Sequence, residues 1–321
     1  MRLKTAISYN LDLICLAGIM TGDDLFIDIH KDVFDTWQPK LSKDIKTKLS
    51  DLVNRRGDAF ISPLITLFIS SLANFNDRNL LEMLSNFDEI KESMNKTPYH
   101  FSDESFNTHF TSFTKIIIPL ISELEGNGIR EYWNANKLPL IKTKCIELDN
   151  QLIKYNMQDV LQPFANINKA DCEIYLCAFA NPFAIKLCGN ALVTDVSNPL
   201  DIILANASHE IFHPPYNYEI VKNYVLKLAN KPWVKAVYDS QPASAGFGSE
   251  VGFIEENIVE ALGIYVAVKL GANIEPYQYF KDHDAGSHIV SPHFYKYLCE
   301  NEKAHEQSFE DYFIEFVDSL S

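Results

Sequence analysis

Apolar residues recur at three- and four-residue intervals through the first half of the chain. In "DIKTKLSDLVNRR" and "DRNLLEMLSNFDEIKESM" charged residues fill the positions between them, the periodicity of amphipathic helices. Residues 1–165 therefore read as a mostly helical region. "FTKIIIPLISELEGNGIREYW" is a longer apolar run, in which Pro119 predicts a kinked buried helix and Gly126-Asn127-Gly128 a turn after it. Near residue 170 the pattern changes. "CEIYLCAFANPFAIKLCGNALVTDVSN" is rich in β-branched and aromatic residues, and Asn181-Pro182 and Gly189-Asn190 punctuate it at strand-like intervals, which predicts two or three short strands in a small sheet. Asn198 then reads as a helix cap and Pro199 as the first helical position of "LDIILANASHEIFH", with Pro214-Pro215 as the stop. A helical hairpin around "YEIVKNYVLKLANKPWVKAVY" follows, then the small-residue stretch "SQPASAGFGSEVG", whose backbone bends easily. A long helix at about residues 253–270, closed by Gly271, and a terminal amphipathic helix, "EQSFEDYFIEFVDSL", complete a second region, 166–321. The expected class is α+β, with no internal repeat and no low-complexity tract.

The chemistry concentrates in "HEIFH", on the helix after the predicted strands. His209 and His213 are four apart, so on a helix both imidazoles leave one face and can share a metal ion. Glu210, rotated by about 100°, lies beside such a metal rather than on it, where its carboxylate can serve as general base. Two imidazoles and a carboxylate suit Zn2+ with a fourth position open to water, whose pKa falls to about 7. By chance alone the pattern arises in about 1–2% of chains of this composition, so its context matters. Here it falls on a predicted helix directly after a small sheet, whose edge strand could bind an extended peptide by backbone hydrogen bonds.

The third ligand is expected from "FIEENIVEALGIYV". Glu256 and Glu260 are four apart and share a face, whereas helical rotation turns Glu255 elsewhere. Over about residues 170–270 the chain resembles the gluzincin branch of H-E-x-x-H zinc metallopeptidases, in which a glutamate ligand sits on a second helix. It also resembles uncharacterised bacterial peptidases whose motif helix ends early and whose second helix reads E-x-x-V-x-A, here Glu256, Val259 and Ala261. The resemblance implies a zincin-like catalytic half, with a small sheet over the H-E-x-x-H helix, behind a helical N-terminal half. It implies zinc-dependent peptide hydrolysis by metal-activated water. Two registers stay open. In the N-E-x-x-x-D form Glu256 binds zinc and Glu260 orients a histidine from the second shell, although Glu255 replaces the Asn; in the E-G-x-A-x-Y form Glu260 is the ligand and Ala261 takes the glycine place. Glu256 is preferred, because metal-bound histidines need a partner on the other ring nitrogen.

One departure stands out. Pro214 disfavours helical backbone at His213, so the motif helix must end about where the second ligand sits. For the group that stabilises an oxyanion, His283, His288 and His293 lie downstream and Tyr216, Tyr218 and Tyr238 between the two helices; His288, after Gly286-Ser287, is selected as the catalytic partner.

Composition narrows the partners. A formal charge of −15 repels phosphate backbones and anionic lipid, so peptide or protein substrates are expected and nucleic acid and membrane surfaces are not. Asp12 splits the only early apolar stretch, no cleavage site is clear, and no segment approaches 18 uncharged apolar residues. Six scattered cysteines (Cys15, Cys145, Cys172, Cys177, Cys188, Cys299) lack C-x2-C pairing, which argues for buried thiols in a reducing cytoplasm. A non-catalytic, metal-dependent peptide-binding or regulatory protein is the alternative function. Oligomeric state is not legible.

Overall fold

The computed structural model describes residues 1–53, 61–97, 102–161, 163–164, 171–180, 183–241, 249–301, 303–304 and 306–320. The Asn181-Pro182 turn, residues 242–248 of the small-residue stretch, the segment end from residue 54 and the region boundary near residue 165 lie outside them. The fold is α+β: helices dominate, with one four-stranded mixed sheet. Two compact units interleave along the chain. One comprises Thr5–Asn150 and Glu173–Ser197, the other Met1–Lys4, Gln151–Cys172 and Asn198–Ser321.

The sheet has the order β1 (Leu3–Ala6), β2 (Cys172–Cys177), β4 (Ala191–Asp195), β3 (Ile185–Lys186). β2 and β4 run parallel, with Tyr175 opposite Val193, whereas β3 returns antiparallel on β4, with Ile185 opposite Val193. Ile174, Leu176, Leu192 and Val193 are fully buried, as expected of parallel strands covered on both faces. From Glu173 onward these strands group with the helical unit and not with the "HEIFH" helix. β1 has no counterpart in the sequence expectations: four residues, "LKTA", carry too little alternation to announce a strand.

The helical unit is built around Tyr9–Ile19, buried on every face and in contact with Asp24–Trp37, Ile61–Ser70 and Ile118–Gly126. Its one charge is satisfied locally: Asp12 accepts from Trp133 Nε1 at 2.6 Å and from the Phe179 amide at 2.8 Å. Pro119 follows directly on a π-helical turn, Phe113–Ile117, so its missing donor falls where the regular helical ladder is already interrupted, and Gly128 turns the chain at φ +85°.

The other unit is organised around the 20-residue helix Glu250–Lys269, here the glutamate helix. Ser249 caps it by accepting from the Gly252 amide at 3.1 Å, and Gly271 at φ +97° closes it. Its apolar residues from Phe253 to Ala267 are buried on nearly all sides, in contact with Leu200–Ile211, Tyr218–Ala229, Pro232–Ser240 and Ser291–Glu300. Leu200–Ile211 is the motif helix. It begins one residue later than expected, because Pro199 is in extended conformation and forms the cap. Among the described residues no helix is long and apolar enough to cross a membrane, and the six cysteines form no disulfide.

Candidate metal centre

Local sequence rules end the motif helix at Ile211, with Phe212 as cap, so His213 lies beyond the last helical turn. The two imidazoles nevertheless meet. Their Nε2 atoms are 3.0 Å apart and the rings 4.9 Å between centroids. Glu256 on the glutamate helix brings Oε2 to 3.4 Å from His209 Nε2 and 3.7 Å from His213 Nε2. Among the described residues, His209, His213 and Glu256 are the group whose donor atoms converge closely enough to hold a metal ion. Tetrahedral bonds of 2.0–2.1 Å separate neighbouring donors by about 3.4 Å, and the three observed separations bracket that value.

Protons make the same point. Glu260 Oε2 lies 2.7 Å from His209 Nδ1, and Glu255 Oε1 lies 3.3 Å from His213 Nδ1. An ionised carboxylate only accepts, so both Nδ1 atoms carry hydrogen and the Nε2 atoms face the shared space. Two imidazole nitrogens 3.0 Å apart repel unless a proton lies between them or a cation is shared. Burial by itself would depress His209, but hydrogen bonds to Glu256 and Glu260 outweigh it and raise its pKa well above the ordinary value. Burial likewise opposes ionisation of Glu256, yet the neighbouring charges of His213 and His209 draw its carboxyl down to about 2. Glu260 is lowered in the same way by His209.

The crossing of the two helices is set by a glycine. A Cβ on Gly263 would lie 3.0 Å from the backbone nitrogen and Cα of His209 and 3.1 Å from its Cβ. Only glycine lets the glutamate helix approach closely enough for Glu260 and Glu256, one and two turns earlier, to reach the histidines.

Glu210 is 6% exposed, and its carboxylate has no hydrogen-bond or ion-pair partner among the described residues. His288 is 3% exposed. Its Nε2 donates to Asp284 Oδ2 at 2.7 Å, Nδ1 is buried without a partner, and its charge registers at Glu256 and Glu260. Burial opposes protonation of His288, but Asp284 and Glu260 raise its pKa, and Asp284 in turn is lowered, chiefly by its hydrogen bond to His288. Of the other candidates, His293 packs on Trp233 at 5.1 Å and His283 stacks on Tyr279 at 3.7 Å. Tyr216 packs on Phe313 and Tyr238 on Phe253. Tyr279 belongs to this neighbourhood instead: burial, then the charges of Glu260 and Asp284, push its hydroxyl pKa up.

Sequence reasoning turned Glu255 away, and this is corrected: a 100° step along the helix is bridged by its long side chain, which pairs with His213. It also passed over Asp284 and Gly263. The signals were present, since Asp284 precedes His288 by four and Gly263 follows Glu260 by three. Comparison with protein-family models, curated proteins and solved structures gives no match for this chain.

Proposed function

We propose that this protein is a zinc-dependent peptide hydrolase of zincin-like design, with His209, His213 and Glu256 holding the metal and Glu210 as general base. The observation that carries this reading is the meeting of two Nε2 atoms and Glu256 Oε2, with a carboxylate behind each imidazole. Zinc held there would supply Lewis acidity, polarising a carbonyl and acidifying water. The chain's own groups do the rest. Glu260 and Glu255 keep the Nδ1 protons in place, so each Nε2 stays a donor to the metal. Glu210, unpaired beside His209, takes the proton of the attacking water and passes it to the leaving amine. His288, its Nε2 held by Asp284, donates from Nδ1 to the developing oxyanion. The carboxylates gathered here favour neutral or basic peptides, met in the cytoplasm.

The test is elemental analysis of chain purified without added metal, followed by assay on a quenched-fluorescence peptide library. About one zinc per chain and cleavage are expected, with Glu210→Gln keeping zinc and losing turnover. Absence of stoichiometric metal refutes the reading. Zinc without cleavage of any peptide points to the second reading, a metal-dependent peptide-binding or regulatory protein.

A further inference from the structure

Asn257 is fully buried on the glutamate helix, directly after Glu256. Asparagine is a poor helix former, and a buried amide is costly unless it is bonded, so its presence there needs a cause. Its side chain is fully engaged. Nδ2 donates to the Phe253 carbonyl of its own helix at 3.0 Å and to the Ser287 carbonyl at 3.4 Å. Oδ1 accepts from the amides of Val290 at 2.9 Å and Ser291 at 3.3 Å, and Ser291 Oγ donates to the Asn257 carbonyl at 2.7 Å. The helix Ser291–Glu300 has no side-chain cap of its own; a residue of the glutamate helix supplies one.

These bonds grip the chain on both sides of His288, at Ser287 before it and at Val290 and Ser291 after it. Asn257 and Glu256 are neighbours on one rigid helix, about 100° apart, so one turn faces the histidine ligands with a carboxylate and the His288 segment with an amide. We propose that Asn257 is the positioning residue that sets where His288 stands relative to the metal triad, without touching ligand or substrate itself. This rests on the reading of His288 as the oxyanion donor. The glutamate helix then serves as a ruler carrying the third ligand and the anchor of the electrophilic group in adjacent positions.

The test uses the full chain with imidazoles labelled by 13C at Cε1, the His288 resonance being identified by its loss in His288→Asn. Asn257→Ala is expected to move the His288 resonance towards that of free histidine. It should also speed amide exchange at Val290 and Ser291 by at least about tenfold, the effect of losing a buried hydrogen bond. Zinc affinity, from competition with a calibrated chelator, should change far less than the roughly 10–100-fold loss expected on removing a carboxylate behind a ligand histidine. Asn257→Asp keeps an acceptor for Val290 and Ser291 and should restore both the slow exchange and most of the resonance position. An unmoved His288 resonance in Asn257→Ala overturns the proposal, as does a zinc loss matching that of Glu260→Ala or unfolding of both variants. If the wild-type chain binds no zinc, the hydrolase reading fails, while the resonance and exchange measurements still decide the role of Asn257.

Discussion

Gly263→Ala puts the geometry of the centre under the sharpest test. On an unconstrained helix the change stabilises by roughly 1 kcal/mol. Here the new Cβ would sit 3.0 Å from two backbone atoms of His209 and 3.1 Å from its Cβ, where ordinary carbon contacts are about 3.5–4.0 Å. None of the three is the tip of a flexible side chain, so the two helices must separate by about 0.5–1 Å. Overpacking of this kind costs about 1–3 kcal/mol, which leaves a net destabilisation of roughly 0–2 kcal/mol after the helix-propensity gain. The effect on metal should be larger. A metal site tolerates bond lengths within about 0.2 Å, and a shift of 0.5 Å or more carries His209 away from both Glu256 and Glu260, so zinc affinity should fall by at least about 10–100-fold. Gly252→Ala in the first turn of the same helix is the control, since its Cβ would meet only Ser249 Oγ at 3.6 Å. Denaturant unfolding of both variants, with chelator-competed zinc titration, gives the two numbers. A Gly263→Ala variant that is stabilised like the control and binds zinc like wild type would refute the argument that close helix approach builds the centre.

Four other outcomes are expected. His209→Ala or His213→Ala should abolish stoichiometric zinc by elemental analysis, and full occupancy in the double variant would remove the assignment. Glu256→Ala should cost nearly as much metal affinity as losing a histidine, whereas Glu255→Ala and Glu260→Ala should each weaken it by only about 10–100-fold in competitive titration; the reverse order would make Glu260 the ligand. Asp284→Asn, which weakens the acceptor at His288, should lower kcat for any cleaved peptide more than it raises KM and leave zinc bound; an unchanged kcat would exclude His288 from the reaction. In the helical unit, burial raises the Asp12 carboxyl from 3.8 to about 6. The folded chain thus holds that proton more tightly than the unfolded one, so the contribution of Asp12 to stability is present below pH 3.8 and lost as pH rises to about 6, amounting to about 3 kcal/mol. Asn at position 12 cannot titrate, so the stability of Asp12→Asn relative to wild type should rise by about that amount between pH 3.5 and 7, and a flat difference would contradict the burial argument.

What could be read along the chain was whatever local geometry decides. Four-residue spacing puts His209 and His213 together, a proline after His213 ends the helix, and β-branched runs make strands, all within a few residues of backbone. Those rules brought out the motif helix, the glutamate helix and the strands from Cys172 to Asp195. They left β1 unseen and the strand order open, because pairing joins residues far apart in sequence. The centre itself divides along the same line. That Glu256 and Glu260 share a helical face is local, but which of them meets the Nε2 atoms depends on how two helices cross, over sequence separations of 42 to 51 residues. Gly263 decides the distance of that crossing and the reach of a glutamate side chain recruits Glu255 to His213. Asn257, third in the polar run Glu255-Glu256-Asn257, carried no signal along the chain; only the packing of residues 287–291 against it gives it a role, since a buried amide persists where the tertiary structure satisfies it.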